Sequence, residues 1–102
     1  MSDHSAGLAA LADPVRRQIL DSLSESGPQS ASALASGFDI TRQAVSKHLK
    51  QLEAAGLIGR STNGRAVLYE VDRRAISDTA MWLAATTQRW NERLDRLGGL
   101  LH

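Results

Sequence analysis

Between Thr41 and Ile58 the chain reads TRQAVSKHLKQLEAAGLI, a segment that admits little besides a capped helix. The Thr41 hydroxyl can cap an N-terminus, no Gly or Pro interrupts Arg42 to Ala55, and Gly56 stands where a left-handed C-terminal cap belongs. A helix of about fourteen residues is expected. At roughly 100° of rotation per residue, Val45, His48, Leu49 and Leu52 share one face, and Arg42, Gln43, Ser46, Lys47 and Lys50 share the other. The first face needs a core. The second offers the groups that read base edges and phosphates: Arg and Lys pair with guanine, Gln pairs with adenine, and Ser reaches either. A merely solvated helix face more often alternates Glu with Lys, yet no acid occurs from Arg42 to Lys50, and Glu53 comes one turn later. The pattern is that of a helix that reads DNA.

Charge along the chain points the same way. The net charge of +1 conceals a segregation. From Arg42 to Arg65 there are five basic residues, Arg42, Lys47, Lys50, Arg60 and Arg65, against the single acid Glu53. Before residue 42, Arg16 and Arg17 stand against Asp3, Asp13, Asp21, Glu25 and Asp39. A near-neutral chain with a basic middle third has the electrostatic footprint of a nucleic-acid binder.

The flanking segments supply a setting. Ser5 to Ala12 is rich in Ala and Leu, with Leu8 and Leu11 three apart, and predicts a short amphipathic helix. Asp13-Pro14 is an N-cap followed by the residue best tolerated at the first helical position. It opens a second helix to about Ser24 with Val15, Ile19, Leu20 and Leu23 as its buried stripe, and Arg16 and Arg17 are expected on a solvated face, with contact to DNA backbone as the alternative. Gly27-Pro28 breaks the chain, Ser30 or Ser32 caps a third helix through Ala33, Leu34 and Ala35, and Gly37 is expected to stop it. Phe38-Asp39-Ile40 then leads into Thr41, which completes a helix-turn-helix pattern.

Beyond the helix, Ile58–Thr62 and Arg65–Val71 are strand-like runs separated by Asn63-Gly64, a strong signal for a two-residue hairpin turn. In the second run Val67, Tyr69 and Val71 alternate with Ala66, Leu68 and Glu70. A hairpin directly after a recognition helix is a wing, and Arg65 beside its tip is placed to enter a minor groove or meet a phosphate. The residues expected to meet DNA are Thr41, Arg42, Gln43, Ser46, Lys47 and Lys50 on the helix and Arg60, Asn63 and Arg65 on the hairpin.

Asp72 caps a last helix to about Leu97, with Gly98-Gly99 expected to fray its end. Ile76, Ala80, Leu83, Thr87, Trp90, Leu94, Leu97 and Leu101 are spaced alternately by four and three, a heptad seam that wants a partner helix. Its first half is expected to pack on the first two helices. Trp82 and Trp90 are read as packing anchors. A two-fold dimer is expected to bury Leu8, Leu11, Leu83, Trp90, Leu94, Leu97 and Leu101.

Several function classes drop out. The chain has no cysteine, so disulfides, thiolate metal sites, iron–sulfur clusters and Cys nucleophiles are excluded. It contains no Gly-x-Ser-x-Gly elbow, no phosphate-cradling Gly loop and no His-Glu-x-x-His zinc pattern, which argues against an enzyme. Glu92 and Asp95 lie among Arg89, Arg93 and Arg96 on a solvated, charge-mixed helix face. His4, His48 and His102 are too scattered to form a metal site, and His48, on the core side of the recognition helix, is expected to be a hydrogen-bonded structural histidine. No cofactor and no metal are expected, and no residue pattern identifies a small-molecule effector. At 42% hydrophobic and 23% charged residues the chain is of ordinary globular composition. It lacks a basic, apolar leader and any run of eighteen apolar residues, so a soluble, cytoplasmic protein without membrane contact is expected.

The order of elements and the motifs LADPVRRQIL (Leu11–Leu20), QAVSKHLKQLEAAGLI (Gln43–Ile58) and GRAVLYEV (Gly64–Val71) resemble those of the arsenical-resistance-repressor, or ArsR/SmtB-type, winged-helix transcription regulators. The resemblance spans nearly the whole chain. It implies a mainly α fold with a small β-hairpin: a winged helix-turn-helix, one domain over residues 1–102, with N- and C-terminal helices forming a dimer interface. It also implies two recognition helices reading an imperfect palindrome in double-stranded promoter DNA, usually to repress. Metal-sensing members carry a cysteine pair around the third helix, here Ala33 to Phe38, which contains none. Others carry an Asp-x-His pair on the last helix, whereas Asp78 is followed by Thr79 and Ala80, so the chain resembles a member without metal-sensing sites. The competing functional reading is a winged helix used only for protein contact, whose binding would not depend steeply on salt.

Overall fold

The computed structural model describes residues 4–101, with side chains through residue 98. Along the chain run α1 (Ser5–Leu11), α2 (Pro14–Ser26), α3 (Ala31–Phe38), α4 (Arg42–Ala54), β1 (Ile58–Asn63), β2 (Ala66–Val71) and α5 (Arg73–Leu101). The fold is mainly α with one antiparallel hairpin.

Local capping sets most helix boundaries. The Asp13 carboxylate accepts from the Val15 N–H at 2.8 Å and the Arg16 N–H at 3.2 Å, and Pro14 follows at the first helical position. Arg16 and Arg17 do more than face solvent. Arg16 Nε donates to the Ala10 carbonyl at 2.7 Å and an Arg17 Nη to the Leu11 carbonyl at 2.6 Å, so both close the C-terminus of α1, where unpaired carbonyls attract cations. Ser30 caps α3 through the Ala33 N–H at 3.1 Å. The expected stop at Gly37 does not occur. The helix continues to Phe38 and ends on Asp39, which takes the left-handed conformation at φ 53°. Asp is among the few residues besides Gly that visit this region, because its short polar side chain bonds locally.

Helices α2, α3 and α4 enclose the core. Ile19, Leu34, Val45, Leu49, Leu52 and Leu57 are fully buried, each worth about 1.5–3 kcal/mol relative to exposure. Ala31 and Ala35 fill the narrower spaces beside them, and Ile58 carries the core to the base of the hairpin.

In the hairpin, Ile58 pairs with Val71 and Asn63 with Ala66. The two loop residues are therefore Gly64 and Arg65, one position later than the expected Asn63-Gly64 turn. Gly64 has φ 65° while Arg65 keeps a negative φ, the sign pattern of a type II′ turn. The alternative would ask Asn63 to leave the sheet; Gly in the first loop position permits the tighter solution. On the other side of the hairpin, Gln29 forms a single antiparallel bridge with Tyr69.

Asp72 caps α5 through the Ala75 N–H at 3.1 Å. The helix does not fray at Gly98 but runs 29 residues, roughly 43 Å at the usual rise, in a molecule whose long axis is 62 Å. The heptad seam sits differently from expectation. Ile76 packs against the core, but Ala80, Leu83 and Thr87 are exposed, so the first half of the seam is not covered by α1 and α2. A neighbouring stripe is covered instead. Thr79 and Thr86 are buried, and an added Cβ at Gly7 of α1 would lie 3.3 Å from Thr79 Oγ1. Trp82 stacks on His4 at 5.5 Å between ring centroids. Gly7 lets α1 approach Thr79 closely on this stripe, while Leu83 stays exposed. No helix among the described residues is long and apolar enough to cross a membrane.

Candidate nucleic-acid interface

Thr41 Oγ1 accepts from the Ala44 N–H at 3.0 Å and starts α4. At the other end Gly56, with φ 77°, lets the Leu57 N–H reach the Leu52 carbonyl at 3.0 Å, a left-handed termination that turns the chain straight into β1. Between these caps, Val45, Leu49 and Leu52 anchor the helix in the core while Arg42, Gln43, Ser46, Lys47 and Lys50 stand in solvent. Thr41 is also exposed at the helix entrance. The polar face is thus held rigidly by the apolar one.

His48 lies at the edge between the faces and is half-buried. Its Nδ1 is shielded from solvent but makes no hydrogen bond within the chain, so the expected hydrogen-bonded histidine is not what forms. The buried residues of α4 beside it, Val45, Leu49 and Leu52, are aliphatic.

The wing rises beside this face. Gln43, Ser46, Lys47 and Lys50 line one wall of an open groove of about 360 Å³, and Arg60 and Tyr69 line the other, with Glu53 at its end. Asn63 ends β1, and the exposed Arg65 occupies the turn itself. No carboxylate lies within salt-bridge distance of Arg42, Lys47, Lys50 or Arg65 among the described residues. Arg60 differs. Its Nε donates to Glu53 Oε2 at 2.9 Å and one Nη donates to Oε1 at 2.7 Å, and its guanidinium carbon lies 5.6 Å from the centroid of Tyr69, its cross-strand partner. The Arg60 hydrogen bonds hold the Glu53 carboxyl below its ordinary value of 4.5 against the opposing effect of burial, and the same bonds push Arg60 further up.

Glu53 and Tyr69 are therefore parts of this surface that the sequence reading did not single out. Their signal was faint: an acid in the last turn of the helix, a capping glycine, and an arginine seven residues on. Among the expected interface residues of the outer helices, Leu8 and Leu11 are half-buried, whereas Leu83, Trp90, Leu94 and Leu97 are 39%, 51%, 61% and 55% exposed. The side chain of Leu101 lies outside the described residues, as does His102. Among the described residues, no group of three or more His, Asp or Glu side chains is placed to hold a metal ion.

Comparisons with known proteins bear on this surface directly. A family profile described as a helix-turn-helix domain matches residues 11–59, the segment from the end of α1 into the start of β1. The transcriptional repressor SdpR of Bacillus subtilis (strain 168) is 32% identical over 74 residues, which is 72% of this chain and 81% of that protein. The solved structure of an ArsR-like transcriptional regulator from Rhodococcus sp. RHA1 superposes with a TM-score of 0.81 at 35% identity, covering 91% of this chain and 87% of that one. Mb0332 from Mycobacterium bovis, described as a homodimeric winged helix-turn-helix DNA-binding domain, superposes with a TM-score of 0.64 at 25% identity, covering 86% of this chain and 89% of that one. By sequence and by backbone alike, the chain belongs to the ArsR family of winged-helix, DNA-binding transcriptional regulators, which are not enzymes.

Proposed function

We propose that this regulator is a homodimeric repressor that acts in the cytoplasm and binds an imperfect palindrome in promoter DNA. The observation that carries this reading is the α4 surface: Arg42, Gln43, Ser46, Lys47 and Lys50 are exposed and free of acids, beside a hairpin whose turn holds an exposed arginine. The N-terminal turns of α4 enter a major groove, with Thr41 and Arg42 at the backbone and Gln43, Ser46 and Lys47 at base edges. Lys50 meets a phosphate further along, and Asn63 and Arg65 meet the adjoining minor groove or backbone.

Dimerisation is supported by the length and surface of α5. Trp90, Leu94 and Leu97 are more than half exposed on a helix that extends beyond the core, and a two-fold partner buries such a seam isologously. The relative Mb0332 is described as homodimeric and SdpR as a repressor, which favours the same assembly and sign here. On this reading residues 1–102 act as one domain, joined to its copy through α1 and α5. Two such domains present their α4 helices to half-sites about one helical turn, roughly 34 Å, apart.

Selection of bound sequences from random duplex DNA, followed by sedimentation of the complex, tests the reading. A palindromic winner bound by two chains is expected. An asymmetric winner bound by one chain contradicts the dimeric operator. Failure to enrich any sequence returns the surface to protein contact.

A further inference from the structure

We propose that Arg60 is a positioning residue: held by Glu53 and laid over Tyr69, it sets the wing against the recognition helix so that Arg65 reaches DNA, and it makes no DNA contact itself. The inference rests on the reading of α4 and the wing as the DNA surface.

A two-stranded hairpin is marginally stable alone and takes its orientation from what it packs on. Here it is held from both sides. On one side, the Glu53 carboxylate in the last turn of α4 accepts two hydrogen bonds from Arg60, the parallel fork that only a guanidinium makes. On the other, the Gln29 and Tyr69 backbones bond each other, and Gln29 Nε2 bonds the Ser22 hydroxyl at 3.0 Å on α2. The Tyr69 ring, under the Arg60 guanidinium, joins the two sides. A line of contacts thus runs from α4 through β1 and β2 to α2.

Charge argues against a second role for Arg60. A phosphate brought to this guanidinium would approach a carboxylate whose oxygens lie 2.7 and 2.9 Å from it, and the like charges would repel. Glu53 is also poorly placed for its own helix, since an anion near a C-terminus opposes the macrodipole. Pairing with Arg60 offsets that cost and explains an acid at the end of an otherwise acid-free surface. The basic groups left for DNA are Arg42, Lys47, Lys50 and Arg65.

The two roles differ in sign, which makes them separable on the selected duplex. If Arg60 positions the wing, Glu53→Gln and Arg60→Ala each weaken binding by about three- to tenfold, and the double variant is no weaker than the worse single, as expected for groups acting as one unit. The slope of log affinity against log salt falls by about one unit in Arg60→Ala because the Arg65 contact is lost with the wing, Arg60→Lys fails to restore slope or affinity, and Arg65→Ala has little further effect on either in the Arg60→Ala background. If Arg60 instead meets a phosphate, Arg65→Ala lowers the slope by about one further unit in the Arg60→Ala background, Arg60→Lys retains the wild-type slope, and Glu53→Gln tightens binding by freeing the cation. Any of those three results overturns the proposal, and so does unchanged affinity in both single variants. Glu53→Gln is isosteric, and circular dichroism melts of each variant check the fold. A wild-type chain that enriches no duplex overturns the DNA reading itself, an outcome distinct from any of these.

Discussion

Gln29 and Tyr69 exchange both backbone hydrogen bonds, the Gln29 N–H donating to the Tyr69 carbonyl at 3.1 Å and the Tyr69 N–H to the Gln29 carbonyl at 2.8 Å. The linker before α3 thereby acts as a one-residue third strand, tying the wing to the helix-turn-helix. Gln29→Pro removes one donor and bends the chain away from the other bond. It is expected to destabilise the fold by about 1–3 kcal/mol. Hydrogen exchange should accelerate at Tyr69 more than at Leu49 in the core. Equal acceleration at both would mean that the bridge is not a local tie.

The Asp13 cap makes stability depend on pH in a defined direction. The Arg16 N–H is the largest influence holding the carboxyl below its ordinary 3.8; desolvation opposes it, and the Val15 N–H and the Arg16 charge add to it. A carboxyl with a depressed folded value contributes stability that is complete above 3.8 and is lost as pH falls through the folded value. Asp13→Ala should therefore lower the urea midpoint at neutral pH, and the gap from wild type should narrow as pH falls below 3.8. A gap that stays constant across that range would remove the charge from the account of the cap.

How far such features were legible in the sequence depended on their range. The Asp13, Thr41 and Asp72 caps and the Val45, Leu49 and Leu52 stripe of α4 involve residues within a turn of each other, and the amino-acid order alone placed them, whereas at α3 it left Ser30 and Ser32 as alternative caps and only Ser30 serves. The pairing of Arg60 with Glu53 crosses a reversal at Gly56, and nothing local says which acid a wing arginine meets. The turn at Gly64-Arg65 was missed by one residue because Asn63-Gly64 and Gly64-Arg65 both satisfy two-residue turn chemistry, and pairing to β2 decides between them. The α5 seam was found by its period, but which stripe faces α1 was not, because the close approach of Gly7 to Thr79 is a steric fit that no periodicity encodes.

The same orientation gives a prediction about assembly. With Leu94 at 61% and Leu97 at 55% exposure, replacing both with Glu removes nothing from the chain's own core, so each chain should still fold. It should sediment as a monomer and lose tight operator binding, because one half-site offers only part of the contact. A folded double variant that remains dimeric would place the interface elsewhere.

Whether the acid-free face of α4 reads DNA sequence is decided most sharply at Gln43. Its side chain is exposed in the first turn of the helix, and it carries no charge to confuse readout with phosphate attraction. The measurement is the affinity of Gln43→Ala for the selected operator and for a scrambled duplex of equal length at one salt concentration. A loss of about 1–3 kcal/mol is expected on the operator and a much smaller loss on the scrambled duplex. Equal losses on the two would contradict it.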